Sequence, residues 1–281
     1  MNKAPFFICP PRTRSTVLFF LMSPYAENKF NLRPVPSSSF ELFLDFNPNI
    51  IFTDTRTSEK QQGEIHPVFN GEELSIHYMS PARYSNTADR NLHKLSVLQE
   101  AKNAGYEYYI KGTQHVVETI DEVLKFFNDR HIVITCRRDI EQYALSYIYA
   151  SNSNLYNLYN NTLLFDNTDR YMDTLKKGVT STDIDISLLL KNTKQVYELE
   201  PILQQYNIDY TFAYYEDMSS DKQLFDVITS IYGTTEWIEH LPVDYEGYIP
   251  TRVDKDYTKC ILNYDDIIEN VRQQIKDSGL G

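Results

Sequence analysis

Pro5-Phe6-Phe7-Ile8-Cys9-Pro10-Pro11-Arg12-Thr13-Arg14-Ser15-Thr16-Val17-Leu18-Phe19 is the stretch that decides the fold. A short apolar run stopped by two prolines reads as a buried strand. Ser15 is a good N-cap type, and Leu18, Phe19 and Met22 recur at helical spacing behind it, so a helix is expected to start near Ser15. A turn from a buried strand into a helix aims backbone N–H groups and the positive end of the helix dipole at one spot, which suits an anion. Arg12 and Arg14 add charge there; Thr13, Ser15 and Thr16 add hydroxyl groups. An ordinary capped turn would use similar residues, so the loop alone leaves both readings open.

Working outward, apolar β-favouring runs alternate with helical patterns, which predicts an α/β protein with a central, mostly parallel β-sheet flanked by helices. Leu92, Leu95, Leu98 and Ala101 lie at helical spacing and Gly105 ends that helix. Tyr108-Tyr109-Ile110 reads as a strand, and Val117, Ile120, Val123, Leu124 and Phe127 as the next helix stripe. Ile132-Val133-Ile134-Thr135-Cys136 is the clearest buried strand, with a helix from about Ile140 to Ala150 behind it. A helical stretch around 184–206, a strand over Tyr210–Tyr214, a helix over 221–232 and a C-terminal helix near 264–276 follow. Residues 23–87 offer Pro and Ser turns over Pro34–Ser39, a short strand at Ile50-Ile51-Phe52 and a hairpin around Asn70-Gly71. The Asn- and Tyr-rich residues 151–170 suit a solvated loop or an acceptor-binding lid. No repeat and no linker divides the chain, so a single domain over 1–281 is expected.

Composition narrows the function. The chain of 281 residues carries 27 Lys and Arg against 39 Asp and Glu, a formal charge of −12, which argues against a generic nucleic-acid binder. Residues 1–40 run the other way, with Lys3, Arg12, Arg14, Lys29 and Arg33 against Glu27 alone. A basic start on an acidic protein suggests a site for something anionic. None of the 9 glycines precedes Gly63, so no dinucleotide-binding fingerprint and no Walker A loop is present. HExxH and GxSxG are absent too. Three scattered cysteines make neither a disulfide framework nor a metal knuckle, and Val17–Met22 is too short to span a membrane. A cytoplasmic location is expected.

Three segments carry the chemistry. The first is the loop Pro10–Thr16. The second is Val133–Asp139, in which Arg138 leaves a core strand and Ser146 follows eight residues later on the next helix. The third is Tyr215-Glu216-Asp217-Met218, between a strand and a helix that finishes near Gly233. In this order, the three resemble the motifs of sulfotransferases that use 3′-phosphoadenosine-5′-phosphosulfate (PAPS), a P-loop-like α/β family. The resemblance spans roughly residues 5–233, with loose agreement over about 23–87 and 151–205, where the acceptor side of the family varies. It implies that Arg12, Thr13, Ser15 and Thr16 enclose the 5′-phosphosulfate and that Arg138 and Ser146 hold the 3′-phosphate. Tyr215 would lie near the adenine. Arg14 stands where the family usually has Gly, as a further phosphate contact or an outward-pointing side chain. Glu216 and Asp217 read as structural.

The acceptor side is thinner. Lys111 and His115 match a Lys and a His four residues later in several family branches, without the intervening Pro. The resemblance implies sulfuryl transfer to a hydroxyl or amine of a small-molecule or carbohydrate acceptor, with adenosine 3′,5′-bisphosphate as product and no metal. Arg12 would stabilise the leaving oxygen and Lys111 would assist at the sulfuryl group. His115 and Glu41, 29 residues after Arg12, are the two candidate general bases. His115 ranks first because an imidazole titrates near neutral pH. A P-loop-type nucleoside or nucleotide kinase and a non-catalytic nucleotide-binding protein of the same fold remain as alternatives. Neither nucleic acid nor membrane is expected as a partner; the sequence leaves the oligomeric state open.

Overall fold

The computed structural model describes residues 3–34, 51–53, 60–62, 68–69, 72–73, 86–103, 105, 107–153, 177–181, 185–241, 245 and 256–281. At its centre is a four-stranded parallel sheet in the order Tyr210–Tyr214, His131–Cys136, Pro5–Cys9, Lys111–Thr113. Helices cover both faces, which makes this an α/β fold. Strand alternation assigns the layers. Phe6, Ile8, Ile132, Ile134 and Cys136 face a layer supplied by Leu95, Leu98, Val123, Leu124, Val196 and Leu203. Phe7, Cys9, Val133 and Ala213 face the opposite layer, built from helix Ser15–Phe30, helix Asp221–Tyr232 and Trp237. Buried on both faces, these strands need the near-continuous apolar runs that made them readable. A third cluster packs Tyr143, Ile148 and neighbours of helix Ile140–Ser153 against Leu190, Tyr257 and helix Tyr264–Ser278.

Several elements differ from their expected form for local reasons. Helix Ser15–Phe30 begins at Ser15 as its first helical residue; the cap position is Arg14, with left-handed backbone, and the helix runs through Pro24 to Phe30. In helix Thr87–Asn103, Leu95, Leu98 and Ala101 are buried as expected, but Leu92 is 44% exposed and the fully buried Asn91 and Lys94 complete the inward face. The stretch after Thr113 opens as a 3-10 turn, Gln114–Thr119, and becomes α-helical only over Ile120–Phe126. The strand expected at Tyr108–Ile110 divides at Ile110: Tyr108–Tyr109 pairs with Arg33–Pro34, and Lys111–Thr113 joins the central sheet. The helical stretch 184–206 is two helices, Ser187–Tyr197 and Glu200–Gln205.

Other expectations match. Helix Asp221–Tyr232 starts in a reciprocal Ser220–Gln223 capping box and ends at Gly233, whose φ of 67° suits glycine. Val68–Phe69 and Glu72–Glu73 pair antiparallel around Asn70-Gly71, and Ile51–Thr53 pairs with Lys60–Gln62. Most of 23–87 beyond Pro34, the greater part of 151–170, and Glu41 lie outside the described residues. Among the described residues no helix is long and apolar enough to cross a membrane.

Candidate anion site

Parallel strands end together, so Cys9, Thr113, Cys136 and Tyr214 bring their following loops to one edge of the sheet. The chain leaves Pro5–Cys9 toward Lys111–Thr113 on one side, and leaves His131–Cys136 toward Tyr210–Tyr214 on the other. Such a reversal opens a crevice beyond the carboxyl ends of the two middle strands, the usual ligand position in open α/β sheets. Loop 10–14 and turn 137–139 border it.

A buried tie joins the two. The fully buried Thr13 donates its hydroxyl proton to the Pro10 carbonyl at 2.7 Å, and its oxygen lies 2.6 Å from the Thr135 hydroxyl. With the single Thr13 proton on the carbonyl, Thr135 must be the donor across the strands. The Thr13 side chain therefore braces the loop from inside. On either side of it, Arg12 (φ 62°) and Arg14 (φ 63°) both adopt the left-handed conformation. For a residue with a Cβ this costs about 1–2 kcal/mol. Arg14 thus takes the backbone shape for which glycine is the easier residue, and its guanidinium donates to the Met218 carbonyl.

The Arg12 guanidinium goes the other way, donating from Nε to the Ser146 hydroxyl at 3.2 Å. Ser146, buried two turns into helix Ile140–Ser153, is also hydrogen-bonded to Tyr257. Burial raises the Tyr257 pKa, and the positive charges of Arg12 and Arg137 oppose that rise, which puts both guanidinium groups within electrostatic reach of its hydroxyl. Arg137 is 8% exposed, lies 4.1 Å over the Tyr215 ring, and has Nε 3.9 Å from a Glu216 carboxylate oxygen. That buried Nε makes no hydrogen bond among the described residues. Two cations, two hydroxyls and an unsatisfied donor form a set whose complement is an anion with several oxygens.

A second cation–hydroxyl cluster sits on the neighbouring strand. Lys111, 1% exposed, donates from Nζ to Thr16 at 3.0 Å and to Ser15 at 3.4 Å. Burying an ammonium group needs such acceptors around it. His115 occupies the first turn of the following 3-10 segment; its N–H reaches Thr113 at 3.4 Å and its carbonyl accepts from Asn91 at 3.0 Å.

Arg138, expected at the 3′-phosphate, is ion-paired within the protein. Its guanidinium forms a bidentate pair with Asp217, both bonds 2.7 Å, and lies 4.0 Å from the Tyr214 ring centroid with about half of its side chain exposed. Glu216 accepts the Arg138 backbone N–H at 3.1 Å. Asp139 caps the helix through Gln142. The structure thus gathers Arg12 with Ser146, and Lys111 with Ser15 and Thr16, but turns Arg138 outward and puts Arg137 beside Tyr215. Arg137 and Tyr257 join this candidate cluster without having been singled out in the sequence. Strand parity carries the signal for Arg137, because alternation places it on the same face as Thr135. Tyr257 has no comparable local signal.

Neither a protein-family model nor a curated protein sequence matches the chain. Among solved structures, the chain is similar to a sulfotransferase from Mycobacterium avium, with 15% identity over 99% of this chain and 76% of that one and a TM-score of 0.42.

Proposed function

We propose that the chain is a PAPS-dependent sulfotransferase that moves a sulfuryl group to a hydroxyl or amine of an acceptor such as a carbohydrate. The observation that carries this reading is the pair of cation–hydroxyl clusters along one sheet edge: Lys111 with Ser15 and Thr16, and Arg12 and Arg137 with Ser146 and Tyr257. A nucleoside with anionic groups on both its 3′ and 5′ oxygens matches two such clusters. A nucleotide phosphorylated at one end only would use one of them. Arg12 belongs to the loop that leads into Ser15 and Thr16, yet reaches Ser146, so it links the clusters.

Bound PAPS supplies the activated sulfuryl group. The protein holds donor and acceptor in line and stabilises charge where it develops. In this reading Lys111 neutralises charge at the transferring group and Arg12 stabilises the oxygen left on the nucleotide. Arg137, Ser146 and Tyr257 hold the 3′-phosphate, and Tyr215, whose ring carries Arg137, lies toward the adenine. Thr13 acts through the loop that it braces, and Arg14 through its tie to Met218. His115 takes the acceptor proton, with Glu41 as the alternative base.

Ligand-induced stabilisation tests the reading, because a ligand bound only by the folded state raises the melting temperature with its concentration. Adenosine 3′,5′-bisphosphate without added metal should stabilise the protein more than adenosine 5′-phosphate does. Equal or better stabilisation by magnesium ATP would favour a kinase and sink the proposal. With labelled PAPS and an acceptor found in a sugar panel, His115→Ala should abolish transfer and leave bisphosphate binding intact. Collapse in Glu41→Gln instead reassigns the base.

A further inference from the structure

We infer that Tyr197 is a positioning residue for ligand recognition: its hydroxyl fixes the main chain of Arg137 and so aims that guanidinium at an anion held beside Ser146 and Tyr257. This rests on the bisphosphate-binding reading above. The ladder between the His131–Cys136 and Tyr210–Tyr214 strands ends at Cys136, paired with Tyr214. Arg137 is the next residue, and its main chain has left the ladder. The Tyr197 hydroxyl takes over both of its polar groups, accepting the Arg137 N–H at 2.7 Å and donating to the Arg137 carbonyl at 3.2 Å. One side-chain oxygen thus clasps a single residue from both sides. Leaving either group buried without a partner is costly.

The clasp is itself held in place. Tyr197 closes helix Ser187–Tyr197, whose Val196 packs with Ile132 and Ile134 of the same strand. One turn earlier, Thr193 is hydrogen-bonded to Tyr143 of the helix that carries Ser146, at 3.0 Å. Burial, and secondarily the neighbouring Cys136, push the Tyr197 pKa up, so the hydroxyl keeps the proton it donates.

The test measures affinity for adenosine 3′,5′-bisphosphate and adenosine 5′-phosphate by calorimetry in Tyr197→Phe, Arg137→Ala, the double variant and Tyr143→Phe. Tyr197→Phe should weaken the bisphosphate about tenfold and the 5′-phosphate much less. In the Arg137→Ala background the same change should cost no further affinity. Tyr143→Phe removes a comparable buried hydroxyl from the same helix contact; it should lower the melting temperature and spare affinity. Undiminished affinity in Tyr197→Phe, or an equal loss with and without Arg137, overturns the inference alone. A native protein that does not bind the bisphosphate overturns the proposed function and the inference with it.

Discussion

The loop after Cys9 and the turn after Cys136 each carry two arginines, and each divides them between the candidate anion site and the scaffold. Arg12 and Arg137 face the Ser146–Tyr257 cluster, whereas Arg14 and Arg138 are anchored to the segment Tyr215–Met218. The means differ. In the first loop the backbone sets the division, through two left-handed residues on either side of the buried Thr13. In the second, side chains set it: Tyr197 and Tyr215 fix Arg137, while Glu216 and Asp217 fix Arg138. A loop that stores strain keeps its shape only while its buried braces hold. A turn held by side chains can be altered one contact at a time.

The largest expected effect separates the two arginines of the second turn. Arg137→Ala should weaken adenosine 3′,5′-bisphosphate by about tenfold to a hundredfold, the worth of a charge-assisted contact. Arg138→Ala should change that affinity little, because its exposed partner is Asp217. Titration calorimetry on the two variants decides it, and the reverse order would break the comparison.

The next effect concerns the brace of the first loop. Thr13→Val orphans the Pro10 carbonyl and removes the acceptor of Thr135, and should cost about 1–3 kcal/mol of stability in urea unfolding. Adding Thr135→Val should cost less than the sum of the two single changes, since they share one contact. Strict additivity would mean that the two loops are not joined there.

The smallest effect isolates the backbone. Arg14→Gly and Arg14→Ala both lose the Met218 tie, but only alanine keeps the left-handed penalty. The glycine variant should be the more stable by about 1 kcal/mol. Equal stabilities would show that the loop relaxes, and the contrast between strained loop and clamped turn would then fail.

How much of this was legible follows from the same contrast. The central strands were readable because burial on both faces demands unbroken apolar runs, as in Phe6–Cys9 and Ile132–Cys136. The helix after Ser220 was readable because its start and stop are written locally, in Ser220, Gln223 and Gly233. Loop 10–16 announced itself through charge and hydroxyl content. Motif spacing points to Arg138 and strand parity to Arg137, and it is Arg137 that lies buried beside Tyr215. The orientation of Arg138 depends on Asp217, 79 residues away, and the place of Tyr257 on packing against Ser146. No local pattern encodes either. In helix Thr87–Asn103 the stripe holds at Leu95, Leu98 and Ala101 and departs only at Leu92, where Asn91 reaches His115 and Thr119 and takes the inward position instead.

The position of Pro5–Cys9 in the middle of the sheet also governs how the chain can be assembled. Both of its ladder partners, Lys111–Thr113 and His131–Cys136, lie more than a hundred residues downstream. At ribosomal rates of about 5–20 residues per second, the strand emerges several seconds before either partner exists. During that interval Phe6, Phe7 and Ile8 have no sheet to enter, and pairing must then close a long loop, a slow step in parallel topologies. Among the described strands, the one that organises the crevice therefore waits longest for its sheet partners during synthesis.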